Sequence, residues 1–317
     1  MKIGYFLSCE ENGPADLLAQ ARAAEEAGFQ GLWISDHFHP WNDEQGESPF
    51  VWAVIGGLAE ATSRLPVTTA VTCPTLRIHP AVIAQAAATA AVMLPGRFNL
   101  GVGSGEALNE QILGDDWPEA DVRLEMLEEA IEVMRELWTG EAVSREGKHY
   151  RVRHARIYTL PERPPPIFVS GFGPKSVDLA GRIGDGYVTT SPDSEAIERF
   201  RRAGGDGKPV QAGAKVCYGT DEAEARRRAH RLWANDGLPG ELAQVLSTPE
   251  HFEQATELVT EDMIAETVPC GPDLDRQLES IQEYADAGVD ELYIQQIGGD
   301  HDAFFEAYRR EVLPRFA

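Results

Sequence analysis

The 317 residues carry 43% hydrophobic and 25% charged side chains, a balance that supports a large buried core and excludes global disorder. With 28 Lys plus Arg against 52 Asp plus Glu, the formal charge is -24, which repels a phosphate backbone or an anionic membrane, so neither nucleic-acid nor membrane partners are expected. The chain opens on an apolar run without a basic leader, and Cys9, Cys73, Cys217 and Cys270 form no C-x-x-C, so the expectation is a cytoplasmic protein with buried thiols and no metal.

In chain order, KIGYFLS (2–8) reads as a strand, followed by an amphipathic helix from Pro14 to about Ala27 that stops at Gly28. GLWISD (31–36) and LPVTTAVT (65–72) are the next strands; a helix through AVIAQAAATAAVML separates the latter from RFNLGVGSG (97–105). After a helix over about Pro118 to Trp138, the stretch up to Pro166 alternates like an inserted hairpin until its prolines stop it. IFVSG (167–171), LAGRIGDGYVTTS (179–191), GAKVCYG (213–219) and DELYIQQI (290–297) complete the set, the last preceded by a helix from about Leu274.

Eight apolar strands separated by helical segments predict a closed (β/α)8 TIM barrel, with an open doubly wound sheet as the alternative. The domain reading is one barrel over 1–317 with insertions at about 105–166 and 235–271, the second being long and weakly patterned. Trp52, Trp117, Trp138 and Trp233 fall in helical contexts and read as packing groups.

The densest polar constellation, Ser35, Asp36, His37, Phe38, His39, Pro40 and Trp41, follows the second strand. A histidine at a strand's carboxyl end can act as acid or base because it titrates near neutrality; the competing reading is a turn or capping cluster. Glu10 after the first strand and Glu106 in GVGSGEALNE reach the same rim if the barrel closes, although Glu106 also suits the first turn of a short helix. The glycines of GVGSG and SGFGP (170–174) let backbone N–H groups approach an anion or simply make tight turns, and they lack the full dinucleotide fingerprint. H-E-x-x-H and G-x-S-x-G are absent.

SCEENG, ISDHFHPW, TCPTLRIHPAVIAQA, GRFNLGVGSGEALNE, FVSGFGP and GRIGDGYVTTS together resemble the coenzyme F420-dependent branch of the luciferase-like superfamily, and within it the F420-dependent glucose-6-phosphate dehydrogenase group. That resemblance implies a homodimeric barrel that binds a deazaflavin at the carboxyl ends of its strands, with a non-proline cis peptide at Ala70-Val71. It implies Asp36 near the deazaflavin ring, Cys73 lining the cofactor pocket, Ser104, Gly105 and Asn109 beside the cofactor, and Ser170, Gly171, Phe172 and Gly173 on its phosphate side. It further implies His37 as the base that removes a substrate hydroxyl proton, Glu106 as the acid at the reduced cofactor, Trp41 packed by the reacting centre, and Glu10 in contact with cofactor or substrate.

The sequence departs from the sugar-phosphate members where they carry Lys and Arg: TTSPDSEA, HFEQATE and MIAETVPCG contain neither. A phosphate held without a cation loses charge-assisted hydrogen bonds, so the small-molecule substrate expected is an alcohol or an unphosphorylated sugar. Lys175, Arg151 or Arg153 are the possible substitutes under the alternative of a sugar-6-phosphate dehydrogenase. Two further alternatives are an FMN-dependent monooxygenase and a non-catalytic cofactor-binding protein.

Overall fold

In the computed structural model, which describes residues 1–316, the strands are β1 (Lys2–Leu7), β2 (Leu32–Ile34), β3 (Val67–Thr69), β4 (Phe98–Val102), β5 (Val143–Glu146), β6 (Arg151–Ala155), β7 (Ile167–Ser170), β8 (Gly186–Thr189), β9 (Val210–Val216) and β10 (Glu291–Gln296). All but β5 and β6 pair in parallel and close into a barrel in the order β1, β10, β9, β8, β7, β4, β3, β2. The (β/α)8 barrel is therefore the architecture, and the open sheet is excluded by the β1–β10 pairing, in which Lys2 faces Glu291 and Tyr5 faces Ile294. The hairpin expected before Pro166 is β5–β6, antiparallel and outside the barrel.

Helices cover the barrel because each crossover between parallel strands needs one. They are α1 (Pro14–Ala27), α2 (Val51–Ala61), α3 (Pro80–Met93), α4 (Ala107–Glu110), α5 (Ala120–Leu137), α6 (Pro174–Ile183), α7 (Ser194–Phe200), α8 (Glu222–Trp233), α9 (Leu242–Val245), α10 (Pro249–Thr256), α11 (Glu261–Thr267), α12 (Leu274–Ala287) and α13 (His301–Ala307). α1 ends where the glycine signal placed it, at Gly28, and α12 ends in the same way at Gly288, both in the left-handed conformation. The weakly patterned stretch 235–271 is not loop but carries α9, α10 and α11, each too short for a helical period to register. Trp117 stands outside any helix, stacked on the Arg123 guanidinium 4.4 Å away, which corrects its helical assignment. No helix among the described residues is long and apolar enough to cross a membrane.

Strand register decides what reaches the barrel interior. Gln211, Gly213 and Lys215 of β9 face Glu291, Tyr293 and Gln295 of β10, so these six share one side of the sheet. That side is inward, since Tyr293 stacks on Trp33 at 4.8 Å with Phe168 and Val188 in the same cluster. A Cβ at Gly213 would come within 2.6 Å of the Trp33 ring, so glycine is what makes room for the indole. Burying each such side chain contributes about 1.5–3 kcal/mol. Above this plug, toward the carboxyl ends of the strands, Lys215 and Gln295 form the next inward layer.

Candidate active site

The carboxyl ends of β1 and β2 bring together the first residues singled out by the sequence. Glu10, fully buried, accepts hydrogen bonds at Oε2 from the hydroxyls of Ser8 (2.7 Å) and Ser35 (2.8 Å). Its Oε1 lies 3.5 Å from Nδ1 of His37, an atom that is buried and has no aligned hydrogen-bond partner. On the other side of the ring, Nε2 lies 3.7 Å from Oε1 of Glu106. The imidazole thus stands between two carboxyl groups, with the Trp41 ring edge-on at 5.0 Å. Trp41 is backed in turn by Phe252 of α10 at 5.0 Å.

Glu106 precedes α4 as its N-terminal cap residue, as the alternative reading of a helix start foresaw, and the same position also brings it to His37. Asn109, one turn on, donates to Glu106 Oε1 at 2.5 Å and accepts at Oδ1 from the backbone N–H groups of Phe38 and His39. α4 and the loop after β2 are therefore held in register by one amide. His39 is part of this tether, its Nδ1 lying 3.0 Å from the Leu108 carbonyl.

Asp36, buried beside this group, accepts from Thr72 Oγ1 (2.7 Å) and from Arg77 (2.8 Å). Arg77 also donates its backbone N–H to Glu110 and sits 3.5 Å from that carboxyl. Burial pushes the Glu110 carboxyl up to about 7, with Glu106 and Asp36 adding to the rise and Arg77 opposing it. The peptide Ala70-Val71 is cis, as the resemblance implied, and carries the chain from β3 toward Thr72 and Cys73. Burial, then the charge of Glu110, holds the Cys73 thiol well above its ordinary value, so it is a neutral wall group.

Gly105 has φ +79°, and a Cβ there would meet the Cys73 sulfur at 2.6 Å. Ser104 and Gly105 thus pass directly over Cys73. Ser170 lies close to Gly103 at the end of β7, and Gly171 accepts from the Tyr187 hydroxyl (2.7 Å). Phe172 is exposed and Gly173 caps α6, with its own N–H taken by the Ser176 hydroxyl, so an exposed helix start lies at this turn.

Three functional candidates escaped the sequence reading. Arg123 is buried and has no carboxylate within ion-pair distance among the described residues; it bonds the Pro118 carbonyl and Gln244. Burial lowers its pKa, with Cys73 and Glu106 near enough to oppose that fall. Glu11 and the pair Glu110–Arg77 are the others, each hidden because an isolated Glu or Arg carries no period or motif. The proposed stand-in cations lie elsewhere: Lys175 pairs with Asp121, and Arg151 and Arg153 pair with Glu146 on the exposed hairpin. A cation that does face inward is Lys215, bound to Asp236 at 2.8 Å and lying over the Trp233 ring.

The site suits a planar redox coenzyme with an anionic tail on three counts. The turn over Cys73 leaves no room for a Cβ, the glycine turn before α6 opens toward solvent, and Arg123 is a buried cation with no carboxylate within ion-pair distance among the described residues. A group of three or more His, Cys, Asp or Glu able to hold a metal is absent among the described residues.

The family model described as luciferase-like monooxygenase matches residues 1–291. The chain is 38% identical over 328 residues to the F420-dependent glucose-6-phosphate dehydrogenase of Microbacterium testaceum (strain StLB037), covering 99% of this chain and 97% of that protein. It is likewise 38% identical over 330 residues to the protein of the same description from Segniliparus rotundus, covering 99% and 98%. Among solved structures, an F420-dependent secondary alcohol dehydrogenase in complex with an F420-acetone adduct matches with TM-score 0.93 and 32% identity, over 100% of this chain and 99% of that one. The coenzyme F420-dependent tetrahydromethanopterin reductase of Methanopyrus kandleri shares the fold with TM-score 0.81 at 21% identity, over the full length of both chains.

Proposed function

The chain belongs to the luciferase-like monooxygenase family, and from that premise we propose that it is an oxidoreductase moving a hydride between coenzyme F420 and a hydroxyl or carbonyl compound. The observation that carries this reading is His37 set between Glu10 and Glu106 at the carboxyl end of the barrel, with Trp41 against its ring. When bound, F420 supplies the two-electron hydride acceptor. Asp36, Ala70, Val71, Cys73, Ser104, Gly105 and Asn109 would hold its ring system, and Ser170, Gly171, Phe172 and Gly173, with Arg123, its anionic side.

In this reading His37 takes the substrate hydroxyl proton at Nε2, the nitrogen away from Glu10. Glu10, fixed by two serine hydroxyls, orients the ring and balances the charge it acquires. Glu106 stands on the far side in the role of the acid at the reduced cofactor, positioned by Asn109. Trp41 and Phe252 screen this centre from water.

The substrate is an uncharged alcohol, carbonyl compound or unphosphorylated sugar. Lys215 is neutralised by Asp236 and Arg77 by Asp36 and Glu110, so a sugar phosphate would have to displace a carboxylate to reach either. The second reading, a glucose-6-phosphate dehydrogenase, is favoured by the names of the 38% identical relatives. Fluorescence titration with F420 and, in parallel, FMN tests the cofactor. Loss of F420 absorbance with propan-2-ol, glucose or glucose-6-phosphate then tests the substrate. Bleaching by the phosphate alone selects the second reading, and preference for FMN removes both.

A homodimer in the cytoplasm completes the proposal. Val82, Val92 and Met93 of α3 lie exposed on one helical arc with Gln85 and Thr89 between them, a mixed face offered to a second copy. Sedimentation equilibrium of the native protein and of Met93→Glu checks it, the variant shifting toward monomer.

A further inference from the structure

Glu10 and Glu11 are chain neighbours whose carboxyls point opposite ways. While Glu10 faces His37, the buried carboxyl of Glu11 accepts three hydrogen bonds: from Trp233 Nε1 (2.7 Å), from Gln295 Nε2 (2.9 Å) and from the Gly298 backbone N–H (2.7 Å). Those donors come from the end of α8, from β10 and from the turn after β10. One side chain therefore joins the β1 turn to three segments far away in sequence.

The α8 segment borders the candidate reaction centre. Trp233 belongs to the apolar cluster on which Trp41 packs, and Trp41 lies edge-on to His37. The loop that carries Trp41 is also fastened to α8, since Asn42 and Gln45 both donate to the Leu232 carbonyl, next to Trp233. On its own side the turn is braced by Asn12, which donates to the Ser8 carbonyl, and by Gln20, which donates to Asn12. Burial pushes the Glu11 carboxyl up to about 7, with the Trp233, Gly298 and Gln295 donors opposing the rise; three donors from outside its own turn converging on one side chain fix the geometry among those segments.

We infer that Glu11 is a positioning residue for the reaction: by tying Trp233, Gln295 and Gly298 to the turn that carries Glu10, it sets the placement of Glu10 and Trp41 around His37. The inference rests on His37, Glu10 and Trp41 forming the reaction centre. Glu11 itself touches neither substrate nor cofactor in this scheme.

The test uses the full-length protein with F420 and whichever of propan-2-ol, glucose or glucose-6-phosphate bleaches it. Glu11→Ala is expected to lower kcat about tenfold or more, with the F420 dissociation constant from fluorescence titration changed less than threefold. Glu11→Gln keeps an acceptor for Trp233 and Gln295 and loses only the Gly298 bond, so it should recover kcat to within about threefold of native. Trp233→Phe removes the indole donor while retaining the ring, and should lower kcat in the same direction; it decides the matter if Glu11→Ala fails to fold. Near-ultraviolet circular dichroism of the cofactor-free variants reports Trp233 and Trp41 independently of turnover and should change in Ala but not in Gln. Equal losses in Ala and Gln, an unchanged kcat in Ala, or a parallel loss of kcat and F420 affinity would overturn the inference. His37→Ala serves as the separate control: if it turns over normally, the underlying reading has failed, whatever Glu11 does.

Discussion

Glu10 stands 3.5 Å from Nδ1 of His37 and leaves Nε2 as the nitrogen that faces away toward Glu106. A carboxylate behind one ring nitrogen, with the other nitrogen turned toward a second carboxyl group, is an arrangement that orients an imidazole for proton transfer.

His37→Ala is expected to leave F420 affinity within about threefold of native while lowering kcat by ~10² or more. Glu10→Ala should lower kcat about tenfold and also destabilise the fold, since the Ser8 and Ser35 hydroxyls lose their shared acceptor at about 1–3 kcal/mol. Steady-state F420 absorbance assays and urea denaturation check the pair; native-like turnover in His37→Ala sinks the proposed role.

Gly105→Ala is expected to weaken F420 binding at least tenfold and to cost about 1–3 kcal/mol of stability. At φ +79° a Cβ would run into the sulfur of Cys73 and the side chain of Glu110. Gly105→Ala combined with Cys73→Ala removes the nearer obstacle and should recover part of the affinity. Fluorescence titration of both variants tells whether the turn is a cofactor contact or only a bend.

Glu110 titrates in the folded protein at about 7, above its ordinary 4.5 because it is buried. A carboxyl raised in this way binds its proton more tightly folded than unfolded, so its contribution to stability falls as pH rises from about 4.5 to about 7. Histidines lowered by burial, His79 and His301, slope the other way below 6.5, so the total is not diagnostic. The difference between native and Glu110→Gln isolates the group: the variant should gain on the native protein as pH rises through that window and run parallel above and below it. Thermal denaturation at half-unit steps from pH 4 to 8 measures this, and parallel curves throughout would refute the assignment.

Much of this molecule was legible from residues in a row. Near-continuous apolar runs such as IFVS and ELYIQ belong to strands buried on both faces, and a parallel sheet covered by helices is what such runs build. Helix ends at Gly28 and Gly288 were readable because a left-handed cap selects glycine locally. His37 and Glu106 stood out because they sit in polar strings at strand ends, whereas Asn109 came only with the family resemblance.

Tertiary structure alone decided which distant groups those strings would meet. Nothing local tells Glu11 from Glu10; only the closing of β10 against β1 and the return of α8 give it Trp233, Gln295 and Gly298 as donors. The same holds for Arg77, whose charge is spent on Asp36 and Glu110, and for Lys215, which register turns into the barrel and Asp236 neutralises. α9 to α11 were unreadable because helices of four to eight residues gain their stability from packing and show too few turns for a period to emerge. Sequence settles what a segment can form by itself; which charges are paired, buried or left free depends on contacts between residues hundreds of positions apart.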